Sequence, residues 1–158
     1  MNVPNNADRE PVNNITVLSV SPGEDDHAAL ERIFRESEIT LYPNCFLALR
    51  RCGSLASALD AVREERTPVV LFDGDGLPSA WQELVAAVKD LPAPPCLIVT
   101  SQFTDDRMWA EVLKQGGFDV IAKPFQKSDV IRIVSSACRR WRHRHAQAAA
   151  AESRPAQK

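Results

Sequence analysis

The chain of 158 residues has nowhere 18 consecutive apolar residues, and its opening "MNVPNNADREPVNN" carries neither a cationic start nor an apolar stretch. Neither a membrane span nor a secretory signal is expected, and the reading is a soluble cytoplasmic protein. Charge of one sign is lacking too. Nineteen Lys and Arg stand against 21 Asp and Glu, and a formal charge of −2 argues against nucleic-acid binding driven by phosphate neutralisation. The four cysteines, Cys45, Cys52, Cys96 and Cys138, show no C-x-x-C spacing, and His27, His143 and His145 show no ligand spacing with them. No zinc site is expected. Cys96 and Cys138 fall in apolar segments where a buried reduced thiol packs well, and the three histidines are expected to face solvent.

What is present is an ordinary globular composition, 44% apolar and 25% charged, in a chain long enough to form one domain without disulfides or metal. Residues 1–14, with two prolines and five asparagines, read as a disordered leader. From Ile15 onward, strands and helices alternate. "ITVLSVS" is an apolar run, followed by Leu30, Ile33 and Phe34 at helical spacing. A second strand is placed at about 45–51 despite Pro43 and Arg50, and its helix carries Leu55, Ala58, Leu59 and Val62. "TPVVLFD" and "CLIVTS" are the third and fourth strands, "FDVIAKPF" the fifth. Their helices are marked by Trp81, Leu84, Val85 and Val88; by Met108, Val112 and Leu113, ended by Gly116 and Gly117; and by Val130, Ile133, Val134, Ala137 and Trp141. Five such repeats with right-handed crossovers predict an α/β, flavodoxin-like, doubly wound parallel sheet of strand order 2-1-3-4-5, spanning residues 15–138.

Ligands of open α/β sheets sit beyond the carboxyl ends of the strands. Three polar residues end three strands there: Asp73 in "VVLFDGDGLP", Thr100 and Lys123. A carboxylate, a hydroxyl and an ammonium on one rim suit phosphoryl transfer, with the acid as nucleophile and the others on phosphate oxygens. The plain alternative is a buried Asp–Lys pair beside a strand-end threonine.

"VVLFD", "LIVTS" and "DVIAKPF", in that order on five βα units, resemble the receiver domain of two-component response regulators from about Ile15 to Ala137. The resemblance implies a phosphoacceptor at Asp73, phosphate contacts from Thr100 and Lys123, and a cis peptide bond between Lys123 and Pro124. It further implies a signalling protein rather than an enzyme, a histidine kinase or phosphotransfer protein as phosphate donor, and a downstream protein bound through the face of helix 4, strand 5 and helix 5. There are departures. The acidic pair that holds Mg²⁺ in receivers is replaced by Ser21 and Pro22, the strand-5 aromatic by Val120, and the proline four residues after the phosphoacceptor by Leu77, with Pro78 following.

Asp73 and Lys123 alone sum to zero charge, so Mg²⁺ is doubtful as a cofactor and weak binding is expected. Candidate ligands are Asp73 itself, Asp75, Asp25 and Asp26. Against that role, Glu24, Asp25 and Asp26 fit the first turn of a helix, where acids favour the positive dipole end, and Asp75 fits a turn in "GDG". Residues 139–158 form a basic, alanine-rich helix extension and a disordered tail in which arginines surround Trp141. Its deletion is expected to leave the fold intact and to weaken partner binding. No further output domain is expected, so the reading is a stand-alone, atypical receiver. The alternatives are a pseudo-receiver adaptor that never takes phosphate and, from another class, a flavin-binding redox protein. The latter would need a phosphate loop where "SPGEDD" is acidic.

Overall fold

The structure, a computed structural model, describes residues 13–37 and 45–152. Five strands alternate with five helices: β1 (Asn13–Val20), α1 (Glu24–Glu36), β2 (Cys45–Cys52), α2 (Leu55–Glu64), β3 (Val69–Asp73), α3 (Ala80–Val88), β4 (Cys96–Ser101), α4 (Asp106–Lys114), β5 (Asp119–Ala122) and α5 (Lys127–Glu152). All strand pairs are parallel, in the order β2-β1-β3-β4-β5, the expected flavodoxin-like arrangement. The central strands β3 and β4 are buried along their whole length, as continuous apolar runs covered on both faces must be. Among the described residues no helix is long and apolar enough to cross a membrane.

Strand alternation assigns each side chain a face. Leu18, Val20, Val70, Phe72, Leu97 and Val99 point into the core under α2 and α3, with Trp81, Leu84 and Val88. Val17, Val69, Leu71, Ile98 and Ile121 point into the second core, with Leu30, Ile33, Val130, Val134 and Ala137 of α1 and α5. The same alternation puts Ser19 and Ser21 on the α1 side. Helix α4 ends as its two glycines predict. Gly116 takes a positive φ of 103°, its N–H reaches Leu113 O, and the Gly117 N–H reaches Val112 O at 2.8 Å, the paired bonds of a Schellman cap. Cys52, Cys96 and Cys138 are all buried.

Three boundaries and placements differ from the sequence reading. β1 begins at Asn13, not Ile15, because backbone pairing with β2 extends past the first apolar residue, Asn13 lying opposite Cys45; residues 1–12 of the expected leader lie outside the described residues. His27 is buried at 3% exposure, because the first turn of α1 folds it down onto the end of β1. The helix extension is not merely solvated. Trp141 is half-buried against the α1 and α5 core, its indole N–H donates to Ala93 O at 3.2 Å, and its ring stacks on a half-buried His145 at 4.8 Å. Residues 153–158 lie outside the described residues.

Candidate functional site

Parallel pairing carries the ends of β3, β4 and β5 to one edge. Asp73 is the last residue of β3 and lies opposite Thr100 in the register with β4. It is 6% exposed. One carboxylate oxygen, Oδ1, accepts the N–H groups of Asp75 and Gly76, each at 3.0 Å, and Lys123 Nζ at 2.8 Å. The other, Oδ2, accepts the Ser21 hydroxyl at 2.8 Å. Burial pushes the Asp73 carboxyl up, but the Gly76 amide, the Lys123 ammonium and the Ser21 hydroxyl together hold it below the usual carboxylate range.

Lys123 follows β5 directly, and its bond to Pro124 is cis, as the resemblance implied. Its ammonium gathers three carboxylates: Asp26 at 2.7 Å, Asp73 at 2.8 Å and Asp75 at 3.6 Å. Burial pushes the ammonium down, yet Asp26 and Asp73 hold it above the ordinary lysine range. The cluster therefore carries about two negative charges rather than the zero counted from Asp73 and Lys123 alone. That count missed Asp26 and Asp75 because neither ends a strand. Asp26 reaches the site from the first turn of α1, while its neighbour Asp25 is exposed and joins none of these contacts.

Asp75 does more than turn the chain. It accepts the Ser101 hydroxyl at 2.6 Å and the Gln102 N–H at 2.8 Å, tying the loop after β3 to the loop after β4. Thr100 is buried beside Asp73, but its hydroxyl donates to Phe72 O, at a long 3.4 Å. Ser21 and His27 were missed as site residues. The available signal was the pair of serines inside an apolar strand: polar side chains on a buried face must find partners.

The zero charge that argued against a divalent cation does not hold, and its fit turns on how the donors are arranged. The carboxylates of Asp26, Asp73 and Asp75 converge on an ammonium, while a hydroxyl and a proline ring occupy the β1 end. Among the described residues no three His, Cys, Asp or Glu side chains form a group that could hold a metal ion.

No family model matches the chain, and no curated protein matches it. Solved structures do. A response regulator from Thermotoga maritima superposes with a TM-score of 0.67 at 17% identity, covering 80% of this chain and 98% of its own. This is the receiver-domain fold. A CheY-like response regulator receiver domain protein from Methanospirillum hungatei gives 0.65 at 15% identity, covering 82% and 97%. The chemotaxis response regulator CheY4 of Vibrio cholerae gives 0.64 at 14%, covering 78% and 98%. At such identities the likeness is one of fold, and the chemistry has to be argued from the residues above.

Within this receiver fold the turn after β3 is packed to its limit at Gly76. A Cβ there would run into Asp73 Oδ2 and lie 2.8 Å from the ring of Pro22. Gly76→Ala should destabilise the protein by about 2 kcal/mol through overpacking. Urea unfolding at neutral pH checks this, and an unchanged midpoint would mean that the turn yields freely.

Proposed function

We propose that the chain is a receiver module of phosphorelay signalling that accepts a phosphoryl group on Asp73 and passes the change on by binding another protein. The observation that carries this reading is the Lys123 ammonium held between Asp73 and two further carboxylates at the carboxyl edge of the sheet. In the proposed step a carboxylate oxygen of Asp73 attacks phosphorus, and the bond from phosphorus to the nitrogen of a phosphohistidine donor breaks. The nitrogen keeps the electron pair. Lys123 then turns from its carboxylates to the more highly charged phosphoryl oxygens, and the Thr100 hydroxyl leaves its long bond to Phe72 O to join it. Such a module signals and is not itself an enzyme. The partner face is proposed at α4, β5 and α5, where Trp109 is 50% and Leu113 37% exposed.

A second reading, the pseudo-receiver that binds its partner without phosphate, is favoured by one observation. Both oxygens of Asp73 are already satisfied, by four donors. The flavin-carrier alternative finds no support, since the turn after β1 leads into Glu24, Asp25 and Asp26.

Intact mass after incubation with acetyl phosphate separates the first two readings. One phosphoryl group is expected on the wild type and none on Asp73→Ala. No addition to the wild type would leave the pseudo-receiver. A phosphate retained in Asp73→Ala but lost in Asp75→Ala would move the acceptor to Asp75.

A further inference from the structure

Behind Ser19 of β1 and Ser21 just past its end lies a buried imidazole for which the proposed reaction has had no use. His27 Nε2 lies 3.0 Å from Ser21 O, and its Nδ1 lies 2.8 Å from Ser19 Oγ. A carbonyl oxygen only accepts, so Nε2 carries a proton and donates to Ser21 O, while Nδ1 and the Ser19 hydroxyl share the second hydrogen bond. Both ring nitrogens are thereby satisfied. Ser21 is held from its other side as well, its N–H donating to Cys52 O at 2.9 Å. The backbone of Ser21 is thereby held at both its N–H and its carbonyl. Its hydroxyl donates to Asp73 Oδ2 at 2.8 Å and accepts the Gly23 N–H at 3.3 Å.

The two oxygens of Asp73 are therefore unequal. Oδ1 has three donors, including the ammonium, whereas Oδ2 has the single Ser21 hydroxyl. With fewer donors drawing on its charge, Oδ2 is the more electron-rich oxygen and the better nucleophile. Resting on the reading of Asp73 as phosphoacceptor, we infer that Ser21 is a further catalytic residue at Oδ2 and that His27 is its positioning residue. Oδ2 attacks phosphorus, and the donor's leaving group departs with the electron pair of its broken bond. No proton need leave Asp73, which reacts as the carboxylate, and Ser21 keeps its own. As Oδ2 becomes the bridging oxygen, the hydroxyl turns to a non-bridging phosphoryl oxygen, where charge is higher than on the carboxylate. An interaction stronger in the transition state than in the ground state accelerates the step. His27 contributes only by fixing where that hydroxyl starts.

The test follows the rate of phosphorylation by acetyl phosphate and, separately, the carboxyl ¹³C titration of Asp73. Ser21→Ala should slow phosphorylation about tenfold, the loss of one hydrogen bond to a charged group, and should move the Asp73 titration upward. His27→Ala should slow it comparably. His27→Gln, whose amide N–H can still reach Ser21 O, should recover most of the rate. In the double variant Ser21→Ala, His27→Ala the rate should be no lower than in Ser21→Ala, since a residue acting through Ser21 has nothing to act through once the hydroxyl is gone. A purely structural histidine would instead add its loss to that of Ser21. A wild type that takes phosphate at a rate Ser21→Ala equals overturns this inference and leaves the phosphoacceptor reading intact. A wild type that takes no phosphate removes both.

Discussion

Lys123→Met should destabilise the protein by about 3 kcal/mol at neutral pH, because it leaves the buried Asp73 carboxylate, with Asp26 and Asp75 beside it, without the opposite charge. The side chain of Lys123 is 10% exposed and that of Asp73 8%, so water replaces little of what is lost. The pH dependence has a defined sign. Asp73 is held below its ordinary pKa in the folded protein, so its contribution is present above the unfolded carboxylate value of about 3.9 and is lost as pH falls through the lowered folded value. Lys123 is held above its ordinary value. Its contribution is present below about 10.4 and is lost as pH rises through the raised folded value. The gap between wild type and Lys123→Met should therefore be widest between these limits and should narrow in acid. Urea unfolding at pH 7 and again in acid at the lowest pH where both proteins fold measures it. An equal loss at both would show that the lysine stabilises through its methylenes rather than its charge.

The same electrostatics explain how much of the site could be read without coordinates. Asp73 and Lys123 were legible because each directly follows an apolar run, and parallel pairing alone brings strand ends together. Asp26 and Asp75 were only partly legible. Each has a local explanation, a helix first turn or a glycine-flanked turn, and sequence offers no sign that a lysine 97 residues away draws one of them inward. Choosing Asp26 over Asp25 needs the rotation of α1 about its axis. His27 was harder still, since its partners are a backbone carbonyl and a serine hydroxyl, groups too common to form a spacing motif. The sheet itself raised no such difficulty, because the run lengths and the Schellman cap at Gly116 are local signals that agree with the global order. The start of β1 at Asn13 escaped for the opposite reason: a ladder hydrogen bond is indifferent to the polarity of the side chain.

Removal of residues 139–158 should lower stability clearly, contrary to what their basic, alanine-rich sequence suggests. The decisive residue is Trp141. It is the last apolar member of the stripe on α5 that includes Val130, Ile133, Val134 and Ala137, and it packs on the core those residues share with α1. Its indole also closes the gap to the segment before β4 through the bond to Ala93 O. His145, one turn on, stacks on the ring with an interplanar angle of 5° and pairs with Arg66, so the extension is fastened beyond the end of α2 as well. A half-buried tryptophan loses less than a fully buried one on truncation, so Trp141→Ala should cost about 2 kcal/mol, below the usual range for a core aromatic. Trp141→Phe keeps the apolar area and gives up the N–H donor. That change should cost about 1 kcal/mol. Deletion from Arg139 onward should cost at least as much as Trp141→Ala, because the His145 contacts go with it. Urea midpoints for the three proteins, compared at a common m-value, give the order directly. If the deletion leaves the midpoint where it was, the packing of Trp141 contributes nothing to stability, and the core of this fold ends at Cys138 after all.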